Sequence, residues 1–219
     1  ETVAAKAIAY VTSHWFGVGG ASFRCGANAG PADTVAFGAF RREVFDQEGL
    51  FDERLLRNQD YEFNSRLRKN GRVVWLDPEI KVIYYNQATI NGLLKQAFGT
   101  GKWNVLTAQI APYAARFRHL APGAFVLGLL VCFALALTGA LSGSLLLAWL
   151  AAALLSPYFG TLLVVSALAF RRVECRVAIL TPLVFFAYHA TYGAGVLKGI
   201  LLLIGGYRKH LNVGQPQTA

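Results

Sequence analysis

The sequence predicts an α/β layer followed by a transmembrane α-helical segment, and two observations carry that prediction. In the first part of the chain, stretches with helical periodicity alternate with short β-branched and aromatic runs bounded by turns, the order of elements in an α/β layer. From His119 through Phe170 there is then no Asp, Glu, Lys or Arg. At ~1.5 Å per helical residue that stretch is long enough to cross a ~30 Å hydrocarbon core twice, with a turn between the crossings. Composition agrees, since 219 residues that are 55% hydrophobic with mean hydropathy +0.41 are too apolar for an ordinary soluble protein.

The net charge of +9 raises the question of a nucleic-acid surface, and its distribution argues against one. Beyond Arg118 there are six basic residues and one acidic residue in a segment that is otherwise almost wholly apolar. Lys and Arg beside membrane spans mark the cytoplasmic side and meet anionic lipid head groups. Cys25, Cys132 and Cys175 have no metal-ligand or CxxC spacing and suggest reduced thiols rather than a disulfide framework. No secretory signal opens the chain and Met is absent throughout, so its beginning reads as cut from something longer.

In chain order, Glu1 to Ser13 is predicted as a helix with Val3, Ala7, Ile8 and Val11 on one side, and Phe16–Gly20 as a flexible loop. Asp33–Phe40 is a strand candidate with a helix starting near Arg41. Gly38 at its end marks a bend or a close approach to a ligand. Asp33 with Arg41 or Arg42 could bind a sugar or a phosphate, or could equally be a solvated strand end and helix start. Arg72–Leu76 and Ile80–Tyr85 are predicted strands around an Asp77-Pro78 turn. Ala88 to Ile110 is predicted as an amphipathic helix on the bilayer surface, interrupted near Gly99 and Gly101 and ended by Pro112.

The stretch Arg57-Asn58-Gln59-Asp60-Tyr61-Glu62 opens a helical run that continues to Lys69 and closes at Asn70-Gly71. Asp60 falls in the first turn, where free N–H groups and the helix dipole stabilise a carboxylate. Such a residue can be an end cap, or a base that accepts a proton.

The predicted organisation is residues 1–87 as the soluble part, 88–118 as an interfacial helix region, 119–206 as transmembrane helices and 207–219 as a tail. The spans are placed at about 123–141, 145–170 and 177–205, with a kink at Pro157. Arg171, Arg172 and Arg176 put the loop after the second span in the cytoplasm. A third span leaves Arg208 and Lys209 outside, whereas a turn near Gly193 and Gly195 keeps the tail inside. Three spans is the preferred reading. His189, inside the third run, is read as a hydrogen-bonded packing residue, with a functional role as the alternative.

Five segments together carry a resemblance: Asp33 to Phe45, Gly49 to Arg54, Asn58 to Glu62, Arg66 to Gly71 and Gln96 to Trp103. In order and spacing they resemble the acceptor half of family 2 glycosyltransferases. The nearest likeness is to membrane-bound enzymes of bacterial exopolysaccharide assembly of the succinoglycan type.

The resemblance implies the C-terminal half of a GT-A nucleotide-diphospho-sugar transferase fold and inverting sugar transfer from a nucleotide-sugar donor. The acceptor would be lipid-linked or a polysaccharide, at the bacterial cytoplasmic (inner) membrane, with membrane lipids as the other partner and no nucleic acid. Asp60 falls on the family's general base. Gly38 and Ala39 match small residues beside the acceptor, where Asp33 is a further candidate. Gln96, Lys102 and Trp103 resemble an element in which the basic residue meets the diphosphate and the Trp stacks on a sugar, with Lys in place of Arg and a longer gap. Trp103 can alternatively be an interfacial anchor. The family's Asp-x-Asp, which holds Mg or Mn against the donor diphosphate, is missing from this sequence. The expectation is therefore that residues 1–219 bind no metal and are inactive alone. A non-catalytic membrane scaffold or export component is the rival class.

Overall fold

The computed structural model describes residues 2–19, 21–26 and 28–207. Its helices are α1 (Val3–Ser13), α2 (Trp15–Val18), α3 (Ser22–Cys25), α4 (Arg42–Glu48), α5 (Gln59–Lys69), α6 (Ile90–Ile110), α7 (Ala121–Ser142), α8 (Leu145–Ala169) and α9 (Cys175–Ile204). Short 3-10 turns stand at Pro112–Ala114 and Phe117–His119. Among the described residues, β structure is confined to β1 (Gly30–Pro31) and β2 (Trp75–Leu76), paired antiparallel.

This overturns the α/β expectation, and with it the GT-A half that the resemblance implied: the protein is predominantly helical. Strand propensity is realised only where a neighbouring strand accepts the backbone groups. Ile80–Tyr85 has no such neighbour and forms no strand, leaving Ile80, Val82, Ile83 and Tyr85 exposed. Residues 33–40 are also irregular, with Phe37 at φ 53°. They are held by a side chain instead, since Asn64 Nδ2 on α5 donates to Thr34 Oγ1 at 3.0 Å and to the Val35 carbonyl at 3.1 Å. Beneath them lies a small aromatic core in which Phe45 stacks on Phe63 and Phe40 meets it edge-on.

The predicted loop at Phe16–Gly20 is partly the short helix α2, which His14 caps by accepting from Phe16 N–H and which ends at Gly19 in a left-handed conformation. Gly20 lies outside the described residues, as do Arg208, Lys209 and the rest of the tail from 208 onward.

Helix α1 is capped by Thr2 and buries Ala7, Ile8 and Val11 in the main core, together with Leu93 of α6, Leu162 and Val165 of α8, and Val177, Val184 and Phe185 of α9. Helix α6 runs unbroken through Gly99 and Gly101, and packs along α9. The glycines there serve close approach rather than interruption. A Cβ on Gly101 would stand 2.1 Å from the Tyr192 carbonyl oxygen, and one on Gly195 would stand 2.2 Å from that of Phe98.

Helices α7, α8 and α9 are each long and apolar enough to cross a membrane, and the protein is a membrane protein by that measure. Helices α8 and α9 continue through Pro157 and Pro182. A proline inside a helix orphans the carbonyl four residues earlier. Both orphans are satisfied by the residue just before the proline: Ser156 Oγ donates to the Ala153 carbonyl at 2.9 Å, and Thr181 Oγ1 to that of Ala178 at 2.8 Å.

Candidate functional site

The start of α5 is where the chain builds a concavity. Asn58 caps the helix from a left-handed backbone, φ 66°, a conformation that Asn tolerates better than most residues. Its side chain reaches across to α6, donating to Asn104 Oδ1 at 2.7 Å and to Thr107 Oγ1 at 3.4 Å. Asn104 in turn donates to the Tyr192 hydroxyl on α9. Asp60 therefore projects from a turn whose position is tied to two other helices. Its own carboxylate accepts from the Tyr61 N–H at 2.8 Å and is otherwise open.

Asp60 lines two adjoining cavities, of about 500 and about 610 Å³. Their shared lining includes Arg24, Asn58, Asp60 and Gln96. The smaller one continues toward Phe125 of α7, Tyr158 of α8, and Tyr188 and Tyr192 of α9. Among the described lining residues Asp60 is the one carboxylate, sharing the smaller cavity with Arg24 and Arg118 and the larger with Arg24 and Arg57. The guanidinium of Arg57 lies against α6 at Gly99, 3.3 Å from where a Cβ would stand. Arg24 sits 5.0 Å above the Tyr84 ring, and the Tyr84 hydroxyl accepts from Gln96 at 3.4 Å.

Of the residues singled out from the sequence, Asp60 and Gln96 come together in these cavities. Asp33 is outside the lining but pairs with Arg118, which is part of it. Gly38 and Ala39 lie just past Val35, Ala36 and Phe37, which form one wall of the larger cavity. A Cβ on Gly38 would meet the Phe40 ring at 3.0 Å, so this glycine leaves room for that ring. Trp103 is buried against Leu55 and Leu106, and the Lys102 ammonium lies 5.8 Å from its ring centre. Neither lines either cavity.

His189 has both ring nitrogens engaged, with the Tyr158 hydroxyl at 3.0 Å and the Phe16 carbonyl at 2.8 Å. Among the described residues no group of three or more His, Cys, Asp or Glu side chains converges.

Sequence reasoning did not name Arg24, Tyr61, Asn104, Arg118, His119 or Tyr192 as site residues, reading Tyr61 as facing a core and Arg118 as a charge flanking the first span. Two patterns pointed to some of them. Gln96, Thr100 and Asn104 recur every four residues along α6, and Tyr188 and Tyr192 stand one turn apart in an apolar helix. His119 is held neutral, its pKa pushed down to about 4 by burial and then by the neighbouring positive charge of Arg118, with Asp33 opposing. The Tyr61 ring packs edge-on against it at 5.0 Å, and the Tyr61 hydroxyl is buried with no hydrogen-bond partner among the described residues.

Fold and cavity together define a helical membrane protein with a carboxylate-bearing cleft at the foot of its apolar helices. Comparison with known proteins adds two relatives. The chain is 33% identical over 97 residues, 44% of its length, to the succinoglycan biosynthesis protein ExoA of Rhizobium meliloti. It is 31% identical over 84 residues, 38% of its length, to the dolichyl N-acetyl-alpha-D-glucosaminyl phosphate 3-beta-D-2,3-diacetamido-2,3-dideoxy-beta-D-glucuronosyltransferase of Methanococcus voltae. These matches cover 29% and 26% of the two relatives, so the chain spans less than a third of either. No family model matches the chain, and no solved structure matches it. The two relatives support the resemblance to family 2 glycosyltransferases.

Proposed function

We propose that this chain is the acceptor-side and membrane portion of an inverting family 2 glycosyltransferase of exopolysaccharide assembly. It works at the cytoplasmic face of a bacterial inner membrane, with a nucleotide-sugar donor and a lipid-linked or polysaccharide acceptor. One observation carries the reading: the single described carboxylate of the paired cavities, Asp60, stands where a soluble cleft continues into the aromatic side chains of the apolar helices. That position suits an acceptor whose reacting hydroxyl lies at the membrane surface.

In this reading Asp60 takes the proton of the acceptor hydroxyl as its oxygen bonds to the anomeric carbon from the face opposite the leaving group. The anomeric carbon–oxygen bond to the donor breaks, and the nucleoside diphosphate leaves with that electron pair. Arg24, Arg57 and Gln96 offer hydrogen-bond donors to its phosphates, and Arg57 is pre-placed against Gly99. Asp33, Gly38 and Ala39 shape the acceptor side through Arg118 and the wall at Val35–Phe37. Trp103 packs against Leu55 and Leu106 beside Lys102, away from the cavity lining. A divalent ion, held in the full-length enzyme by the Asp-x-Asp that this sequence lacks, would offset the charge of the donor diphosphate.

The test is Asp60→Asn in the full-length protein, expressed in cells lacking the native gene. Transfer of labelled sugar from nucleotide sugars into lipid and polymer fractions is followed. Transfer is expected to fall by roughly two to four orders of magnitude with membrane insertion intact. Turnover close to that of the unaltered protein would overturn the proposal.

A further inference from the structure

The Asp60 turn is not free-standing. It is the end of a chain of side-chain hydrogen bonds that starts on a membrane helix: the Tyr192 hydroxyl on α9 accepts from Asn104 on α6, whose Oδ1 accepts from Asn58, two residues before Asp60. Asn104 is 8% exposed and Thr107, which also accepts from Asn58, is 2% exposed. Polar groups at this depth persist when they are paired, and removing one member orphans the others.

The backbone makes the chain consequential. Asn58 is in the left-handed region, where a residue other than glycine is held by its surroundings. Here the surroundings are the contacts of its own side chain, and the residues that follow it set the direction in which α5 starts. A residue at φ 66° that could relax would turn the first turn of α5, and Asp60 with it. Helices α6 and α9 are in turn locked together at backbone distance through Gly101 and Gly195, so Tyr192 and Asn104 form a rigid base. All three members, Asn58, Asn104 and Tyr192, also line the smaller cavity.

We propose that Asn104 and Tyr192 are positioning residues that act through the Asn58 side chain to aim Asp60, so that the base is registered against membrane helix α9 rather than against the soluble part alone. This rests on the reading of Asp60 as the base, and the variants are chosen to separate the two.

In the full-length protein, three variants test the tie: Asn104→Leu, Tyr192→Phe and Asn58→Gly. The last retains left-handed freedom while deleting the side chain, so it distinguishes a needed backbone conformation from a needed link. The expected result is a 10- to 100-fold fall in kcat for Asn104→Leu and Asn58→Gly, with a smaller fall for Tyr192→Phe. Donor KM should stay within about twofold, so that the loss falls on kcat alone. The double variant Asn58→Gly, Asn104→Leu should be no worse than either single one, because both cut the same link.

Near-normal kcat for Asn58→Gly and Tyr192→Phe overturns the inference while leaving Asp60 as the base. Strictly additive losses, or a donor KM that rises in step with the fall in kcat, overturn it too, by showing that each change only loosens packing. If Asp60→Asn itself retains turnover, the function fails and the inference with it. Should Asn104→Leu not insert in the membrane, Asn58→Gly and Tyr192→Phe decide alone.

Discussion

The carboxylate of Glu62, two residues after Asp60 on α5, is buried and bonded to the Arg66 guanidinium one turn further on, at 3.0 and 3.1 Å. The Tyr113 hydroxyl donates to the same carboxylate, and Arg66 also donates to the carbonyls of Glu48 and Leu50. Two acidic residues on one helix thus have opposite duties. Glu62 ties α5 to the turn after α6 and to the end of α4, while Asp60 is left open to the cavities.

Glu62→Ala is therefore expected to destabilise the protein by about 3 kcal/mol, because it leaves Arg66 partly buried and unpaired. Asp60→Asn should leave stability within ~0.5 kcal/mol. Chemical denaturation in detergent micelles, followed by circular dichroism, checks both. Equal stability losses in the two variants would contradict the division of roles.

Gly101→Ala is expected to lower stability by 1–3 kcal/mol or more, since the new methyl meets the Tyr192 carbonyl and α6 cannot separate from α9 without losing its packing. Gly128→Ala in α7, which meets nothing within 4 Å, serves as the matched control and should be neutral or slightly stabilising. Thermal midpoints of the two variants in the same detergent give the comparison.

Thr181→Val should lose roughly 1–2 kcal/mol, because it keeps the shape of a buried side chain while stranding the Ala178 carbonyl that Pro182 leaves without an N–H. In Pro182→Ala the backbone N–H returns, so the same Thr181→Val change should then be nearly neutral. A double-mutant cycle on stability measures the difference directly.

The pKa of His119 in the folded protein is about 4, against an ordinary value of 6.5. As pH falls the unfolded chain takes up its proton first, so the contribution of neutral His119 to stability is complete above about pH 6.5 and declines between 6.5 and 4. The decline attributable to this residue is on the order of 2–3 kcal/mol. His119→Gln should flatten the stability–pH curve across that window, and denaturation at pH 7, 5.5 and 4.5 shows whether it does.

Several features were written in the order of residues alone. Uncharged apolar runs produced α7, α8 and α9 because a helix is the cheapest way to satisfy backbone groups away from water. The polar opening at Asn58 and the Asn70-Gly71 ending bounded α5, which places Asp60 in its first turn. The motif order from Asp33 to Trp103 was enough to point to glycosyltransferases, in keeping with the relatives found.

Tertiary structure decided the rest, for reasons that no local pattern contains. Whether Ile80–Tyr85 becomes a strand depends on a partner edge elsewhere, and none is present among the described residues. Gly99 and Gly101 looked like breaks in a helix, yet they admit the Arg57 guanidinium and the α9 backbone, which only the packed helices bring near. Trp103 and Gln96 belong to one sequence element, but rotation along α6 sends one into the core and the other into the cavity. Asn58, Asn104 and Tyr192 are far apart in the chain and meet because three helices converge. Periodicity can assign a residue to a face, whereas what that face touches is set by the packing of the whole chain.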